Sequence, residues 1–354
     1  MGVDPAGDRR HGGIVLPVEW WLSVLLVLVL SVVLVPLVRL YALRAGLVDH
    51  PGPRRSHHEV TPRGGGLAIV LAAGLGLYLL PLPGVWKIGF LGALAAIAVL
   101  GFVEDHRSIP VMLRLVFQML VALVLVACLG GISALPLAGD TVFAPWLWNP
   151  LALIGLVWMI NLHNFMDGSD GLAATQGVSC GLLFAFAFAW TGFPLGSAMA
   201  LCVAAGYLGF LPWNLSRPGF FMGDVGSMSL GLLLGMLVLT GILTDSVPVW
   251  TSILVTSVFV VDATATLLYR MFTRGQWYTP HREHAYQRLI ELGWSHGRVC
   301  LLYAGTNWLI VAPALLLSLA WPEWGPVLAL ITVLLLVLSW FVVQGVTKRT
   351  SIVN

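Results

Sequence analysis

Eleven apolar stretches, each long enough or nearly long enough to cross a bilayer, set the terms for anything this chain can fold into. They run approximately over 18–42, 65–82, 86–103, 113–131, 147–162, 177–193, 197–213, 227–243, 247–270, 299–320 and 325–346. Crossing a hydrocarbon layer about 30 Å thick takes roughly 17 to 25 helical residues. Composition agrees, because 58% of the 354 residues are hydrophobic and 10% charged, where a soluble domain carries roughly 25% charged residues. The sequence therefore predicts an all-α, polytopic integral membrane protein with 10 to 11 transmembrane helices. The fifth to seventh stretches are short and closely spaced and are the weakest of the set.

The first stretch is too long for a signal-peptide core and lacks a small-residue cleavage pattern, so it reads as an uncleaved anchor. The start, "MGVDPAGDRR", has Ala6 where a myristoylation signal needs Ser or Thr. Cys128, Cys180, Cys202 and Cys300 are scattered singly in apolar runs and read as small core residues. The formal net charge of +2 offers no basic excess that would point to nucleic acid.

Orientation follows from the basic residues, which short loops retain on the cytoplasmic side. Fifteen of the 18 Lys and Arg follow odd-numbered spans or lie just inside their ends, Arg39, Arg54, Arg55, Arg107, Arg217 and Arg274 among them; the other side has Arg9, Arg10 and Lys87. An odd number of spans then gives an external N-terminus and a cytoplasmic C-terminus. No linker, low-complexity tract or internal repeat is visible. One domain over 1–354 is the simplest organisation, with an external tail at 1–17, a transmembrane core at 18–346 and a cytoplasmic tail at 347–354.

Five loops expected on the cytoplasmic face carry nearly all the polar chemistry: "DHPGPRRSHHEVTPRGGG" (49–66), "GFVEDHRSIP" (101–110), "NLHNFMDGSDGLAA" (161–174), "FFMGDVGSMSLG" (220–231) and "QWYTPHREHAYQRL" (276–289). Alternating spans bring them to one face, where residues distant in sequence can share a site. Glu104 and Asp105 are adjacent, Asp167 and Asp170 are three apart, and Asp224 sits between glycines. Acids three apart lie on one side of a helix, so Asp167 and Asp170 point together if Asp170 opens the next helix. Close carboxylates repel one another. A hard divalent cation such as Mg2+ removes that repulsion, typically taking one or two carboxylates plus substrate phosphate oxygens. Gly64 to Gly66, and Gly223 and Gly226 around Asp224, let backbone N–H groups at helix starts approach an anion. Arg54, Arg55, Arg63, Arg282, Arg288 and His284 are candidates to neutralise phosphate oxygens.

Each signal has a plainer reading. "GDVGS" alone is a common helix-capping pattern. Arg44, Arg270, Lys348 and Arg349 need do no more than set topology. His57 and His58 could be solvated loop residues. Asp262 lies about two turns inside the ninth stretch, where an acid is expensive; a site role and a structural pairing with an arginine both remain open.

Taken together, "NxxNxxDGxDGL" followed by "GDxGSxxLG", in that order and on one face, resembles the polyprenyl-phosphate N-acetylhexosamine-1-phosphate transferases (glycosyltransferase family 4), from about Asp49 to Leu289. The resemblance implies a reaction in which a UDP-N-acetylhexosamine gives its sugar 1-phosphate to undecaprenyl phosphate, releasing UMP, in a bacterial plasma membrane. It implies Mg2+, or alternatively Mn2+, as cofactor. The implied partners are these two substrates and membrane lipid but no nucleic acid, with a homodimer as one option.

By the same resemblance Asn161, Asn164, Asp167 and Asp170 lie in the nucleotide-sugar and metal site, Asp224 is the principal metal ligand and Phe221 stacks on uracil. Glu104 and Asp105 occupy a paired-acid position, where one acid deprotonates the lipid phosphate or helps hold the metal, Asp105 being the candidate ligand, and His284 contacts the diphosphate; Arg63 and Arg288 are read as substrate contacts from their charge alone. Three departures bear on the branch. Glu104 stands where the family usually has Asp, and Ser108 where the peptidoglycan translocase has Lys. "HAYQRL" replaces a "HxHHxL" loop, so Tyr286 and Gln287 stand for histidines. Ser108 and the altered histidine loop favour the WbpL-like, O-antigen-initiating branch over the phospho-MurNAc-pentapeptide translocase, while Glu104 weakens the claim that its position has a fixed role. A transporter of lipid-linked sugars is the rival of another class, but it should place its polar groups near the bilayer midplane.

Overall fold

The computed structural model describes residues 16–49, 60–137, 140–216, 219–273 and 282–353. Arg9, Arg10, Arg54, Arg55, His57, His58, Arg217 and Arg274 lie outside the described residues.

In chain order come α1 Val18–Arg44, α2 Gly66–Leu79, α3 Gly84–His106, α4 Val111–Cys128, α5 Pro145–Phe165, α6 Leu172–Trp190, α7 Pro194–Leu215 and α8 Gly223–Leu243. Then follow α9 Val249–Thr273, α10 Ala285–Glu291, α11 His296–Thr306, α12 Ala312–Ala320 and α13 Gly325–Val353. A π-helical turn at Asn307–Val311 joins α11 to α12. Strand β1 (Val48–Asp49) pairs antiparallel with β2 (Thr61–Pro62), and β3 (Ala134–Leu137) with β4 (Asp140–Phe143).

Ten helices among the described residues are long and apolar enough to cross a membrane, with α11 and α12 counted as one rod over 296–320. The chain is an all-α polytopic membrane protein. The second expected stretch, 65–82, yields the 14-residue α2, because Gly64 and Gly65 hold its start and "PLP" at 81–83 breaks its end. The three weakest stretches become α5, α6 and α7, of 21, 19 and 22 residues. Proline marks several starts, at Pro145 and Pro194 inside the first turn and at Pro83 and Pro110 just before it, where its missing N–H costs nothing.

Helix α8 is the axis of the bundle. Of its most apolar stretch 89% is buried, against 17% for α13 at the periphery. It packs on α2, α3 and α5. Glycines allow these contacts: a Cβ on Gly66 would stand 2.1 Å from the Gly226 nitrogen, and one on Gly101 would stand 2.6 Å from the Val225 Cα. A Cβ on Gly231 of α8 would likewise stand 2.1 Å from the Met159 carbonyl oxygen of α5, so all three helices approach α8 backbone to backbone, and that brings their polar ends together.

Candidate active site

The ends of α3, α5 and α7 and the starts of α2, α8 and α10 surround a cavity of about 260 Å³. Among the predicted residues, Arg63, Asp105, Asn164, Asp167, Asp170, Phe221, Asp224 and Arg282 line it, and so do Asp49, Ser169, Asn214 and Gln287. All five sequence clusters thus contribute side chains from their described parts, "GFVEDHRSIP" through Asp105 alone. The grouping read from alternating spans is what the fold makes.

Asp105, in the last turn of α3, accepts the N–H groups of Asp224 at 3.1 Å and Val225 at 3.3 Å. Its carboxylate thereby caps α8 from another helix, at the positive end of that helix dipole. Gly223 makes this approach feasible. Its φ of +73° suits glycine, and a Cβ there would meet the Asp105 oxygens at 2.7 and 2.8 Å. Arg63 donates from Nη2 to the Asp105 carbonyl oxygen. A parallel bridge joins Arg63 to Phe221, with Phe221 N–H donating to Pro62 O at 2.9 Å and Gly65 N–H to Phe221 O at 3.0 Å. An aromatic ring and a guanidinium are so fixed side by side on the cavity wall.

Asn164 donates from Nδ2 to Asp224 Oδ1 at 2.7 Å and to Ser227 Oγ at 2.9 Å. Asn161, one turn earlier, is buried away from the cavity lining and donates to Gln118 Oε1 at 2.6 Å. Of this pair, Asn164 orients the acid of α8, whereas Asn161 ties α5 to α4.

Asp167 and Asp170 do not share a helix face. The expectation that Asp170 opens the next helix fails because Gly171, at φ +77°, precedes a helix that starts at Leu172. Both acids lie instead in the irregular connection 166–171, and both still face the cavity. Burial, followed by the charges of Asp224, Asp105 and Asp170, holds the Asp167 carboxyl well above the usual carboxylate range. The connection is anchored from outside. Asn214 Oδ1 accepts Gly171 N–H at 2.8 Å while its Nδ2 donates to Phe220 O at 3.0 Å, so one amide links the "DGSDG" and "FFMGD" segments.

Several predicted residues sit elsewhere. Glu104 accepts Ile109 N–H at 2.9 Å and pairs with Arg114 at 3.4 Å; it closes the turn from α3 to α4 and lies outside the cavity lining. His284, expected to meet substrate phosphate, is buried with its ring beside Phe165 and Tyr286 and its Nδ1 4.0 Å from Asp262. Burial, with Arg270 next in effect, pushes His284 down to about 4, so at neutral pH it carries no charge to offer an anion. Arg288 pairs with Glu291 at 2.9 Å and is likewise absent from the lining.

Asp262 accepts Ala285 N–H at 2.8 Å and the Tyr303 hydroxyl at 2.6 Å, which makes it an anchor for α10 with partners other than an arginine. Arg270 is more than a topology marker, being buried in an ion pair with Glu283 at 2.9 Å. Of the altered histidine loop, Tyr286 is buried and donates to Phe165 O at 3.1 Å. Gln287 faces the cavity and accepts His284 N–H at 3.3 Å. Sequence reasoning also missed Asn214 and His296. Neither stands in a repeated polar pattern, and only the folded connection 166–171 explains them.

The profile of glycosyl transferase family 4 matches residues 87–242, a stretch that holds Asp105, Asn164, Asp167, Asp170, Phe221 and Asp224. A protein of Bacillus subtilis (strain 168) named "Probable undecaprenyl-phosphate N-acetylglucosaminyl 1-phosphate transferase" is 30% identical over 291 residues, which cover 79% of this chain and 78% of that one. The chain belongs to glycosyl transferase family 4. Two further relatives widen the range of names. A decaprenyl-phosphate N-acetylglucosaminephosphotransferase of Mycolicibacterium smegmatis is 32% identical over 300 residues, 75% of this chain and 74% of that one. A phospho-N-acetylmuramoyl-pentapeptide-transferase of Synechococcus sp. (strain JA-3-3Ab) is 31% identical over 342 residues, 87% of this chain and 92% of that one. In this family 4 chain the profile stops short of Arg63, Arg282 and Gln287, which complete the cavity wall from both sides of it.

Proposed function

We propose that this chain transfers an N-acetylhexosamine 1-phosphate from a UDP-sugar to undecaprenyl phosphate in a bacterial plasma membrane, starting a lipid-linked surface glycan such as O-antigen. The observation that carries this reading is the meeting of Asp105, Asp167 and Asp224 with Arg63, Arg282 and Phe221 in one cavity at the ends of apolar helices. A phosphate anchored in lipid and a soluble nucleotide can meet only where a bundle ends.

In the proposed reaction an oxygen of the lipid phosphate attacks the sugar-bearing phosphorus. The bond from that phosphorus to the bridging oxygen breaks, and UMP leaves with the bridging oxygen. The attacking group is already an anion, so the protein's work is positioning and charge neutralisation. Arg63 and Arg282 supply positive charge to the diphosphate, and Phe221 offers a face to the uracil ring. We favour direct attack over a covalent enzyme intermediate.

The acids fit a hard cation. Among the described residues no three His, Cys, Asp or Glu side chains gather closely enough to hold an ion alone, which suits Mg2+, since it leaves much of its shell to water and substrate oxygens. The donor set is all oxygen, with Asp224 oriented by Asn164 and Asp105 retaining lone pairs beyond the two spent on the α8 amides. Bound there by Asp224 and Asp105, Mg2+ would supply neutralisation of the diphosphate oxygens and of the departing UMP.

Ser108 and the "HAYQRL" loop support the WbpL-like branch, and the names of the Bacillus and mycobacterial relatives make UDP-N-acetylglucosamine the first donor to try. The test is UMP release by purified protein in detergent with undecaprenyl phosphate. The donors are several UDP-N-acetylhexosamines and UDP-MurNAc-pentapeptide, with Mg2+ or with a chelator. Release that needs both lipid and Mg2+ is the expected result. Turnover of the pentapeptide donor alone would replace the O-antigen reading with the peptidoglycan one, and no release with any donor from folded protein would overturn the transferase reading.

A further inference from the structure

The connection 166–171 carries two of the cavity's acids on irregular backbone, and besides Asn214 it is gripped by a helix that the family profile does not reach. At the first residue of α11, the His296 Nδ1 lies 3.2 Å from the Asp170 amide nitrogen and 3.0 Å from Ser169 Oγ, with Asp170 Oδ2 at 3.9 Å. One turn further along the same helix face, Cys300 donates from Sγ to the Asp170 carbonyl oxygen at 3.0 Å. Helix α11 therefore holds the N–H and the C=O of one residue.

An imidazole nitrogen that receives an N–H is unprotonated, so Nδ1 acts here as an acceptor. His296 itself does not line the cavity, and its effect on substrate must pass through Asp170. We propose that His296 is a positioning residue for the transfer: its Nδ1 fixes the Asp170 backbone and so sets the aim of the Asp170 and Asp167 carboxylates. The proposal rests on the transferase reading for its consequence in turnover. The clamp itself is a claim about backbone that stands or falls separately.

Chemistry on phosphate depends on placement, and a displacement of about 1 Å can cost about 10²-fold in rate. Loss of the acceptor should therefore lower kcat and leave the donor KM little changed, because Phe221, Arg63 and Arg282 belong to other segments. The variants separate the atom from the bulk. Asn places its amide oxygen near the position of Nδ1, whereas Gln reaches toward Nε2 and Ala removes the group.

The experiment measures donor kcat and KM, and hydrogen exchange of segment 161–175, for the full chain and for His296→Asn, His296→Gln and His296→Ala in the same detergent. We expect kcat to fall about 10- to 100-fold in the Gln and Ala variants with KM within about threefold, and the Asn variant to stay within about threefold of the parent in both. Exchange over 166–171 should quicken in the Gln and Ala variants and not in the Asn variant. Unchanged exchange in His296→Ala overturns the clamp, whatever the activity. Unchanged kcat with quickened exchange overturns the positioning role, and so does an Asn variant as impaired as the Gln variant. A parent chain that releases no UMP defeats the transferase reading and with it the positioning role, leaving exchange to decide the clamp.

Discussion

Asp167 is the residue at which the cavity's electrostatics are least comfortable. Its half-buried carboxyl is largely withdrawn from water and faces the charges of Asp224, Asp105 and Asp170, which together hold it well above the usual range. A carboxyl whose folded pKa exceeds its unfolded value of about 4 contributes stability that is complete below that value and is lost as pH rises through the folded one. At pH 8 without divalent cation Asp167 therefore works against folding, and Asp167→Asn should raise the unfolding midpoint of the chelated protein by roughly 2–4 °C. The same variant should lose most of its turnover and shed part of the gain in midpoint that the parent shows on acidification toward pH 5. Thermal unfolding followed by tryptophan fluorescence decides it, and a lower midpoint for the variant at pH 8 would contradict the electrostatic account.

Glu104 behaves differently because its carboxylate is spent on Ile109 N–H and Arg114. Glu104→Asp, shorter by one methylene, should cost about 1 kcal/mol through the weakened turn and change kcat by less than about threefold. A hundredfold loss at unchanged stability would put Glu104 in the chemistry.

At the level of elements, the glycine contacts matter more than the apolar faces. Gly66 and Gly226 allow α2 and α8 to touch, and the Gly66 N–H donates to Met222 O at 2.8 Å, next to Phe221. Gly66→Ala inserts a methyl 2.1 Å from the Gly226 nitrogen, against backbone that cannot rotate away. Overpacking of this kind costs about 1–3 kcal/mol, and here the strain falls on the segment that presents Phe221 and Asp224. The variant should show a lowered midpoint together with at least a tenfold loss of turnover, whereas Gly92→Ala, whose Cβ meets nothing within 4 Å, should show neither.

Hydropathy made the helices legible, and alternation of sides made the meeting of the clusters legible, because both are consequences of the bilayer. What could not be read was the division of labour inside the clusters. Asp105 and Glu104 are neighbours in sequence, yet α3 turns one toward α8 and the other toward α4. Asn161 and Asn164 differ by one turn, yet only the second reaches an acid. Burial divides His284 from Gln287 against expectation: the basic residue is hidden and the neutral amide faces the cavity. His296 had no pattern at all, since its partner is a backbone N–H of a connection 126 residues away.

On the scale of the whole molecule the open question is how often the chain crosses. Helix α2 alone, at 14 residues and about 1.5 Å per residue, spans about 21 Å, short of the roughly 30 Å of hydrocarbon. Yet Arg63 precedes α2, Asp105 ends α3, and both line the same cavity. The intervening chain must therefore leave that face and return to it. Helix α3, with 23 residues, covers the full thickness, so its start lies on the far side. The chain reaches that point through α2 and the non-helical residues 80–83, where Leu82 N–H donates to Leu80 O at 2.8 Å.

We propose that together they cross the layer, which would make eleven crossings and put the termini on opposite sides. Alkaline phosphatase fused after Leu82 should be active and after Arg107 inactive, while a fluorescent protein at the C-terminus should fluoresce on the cytoplasmic side. An inactive fusion after Leu82 would mean that α2 turns back within the membrane. The basic residues beyond it would then have to be retained by something other than the parity that the cavity implies.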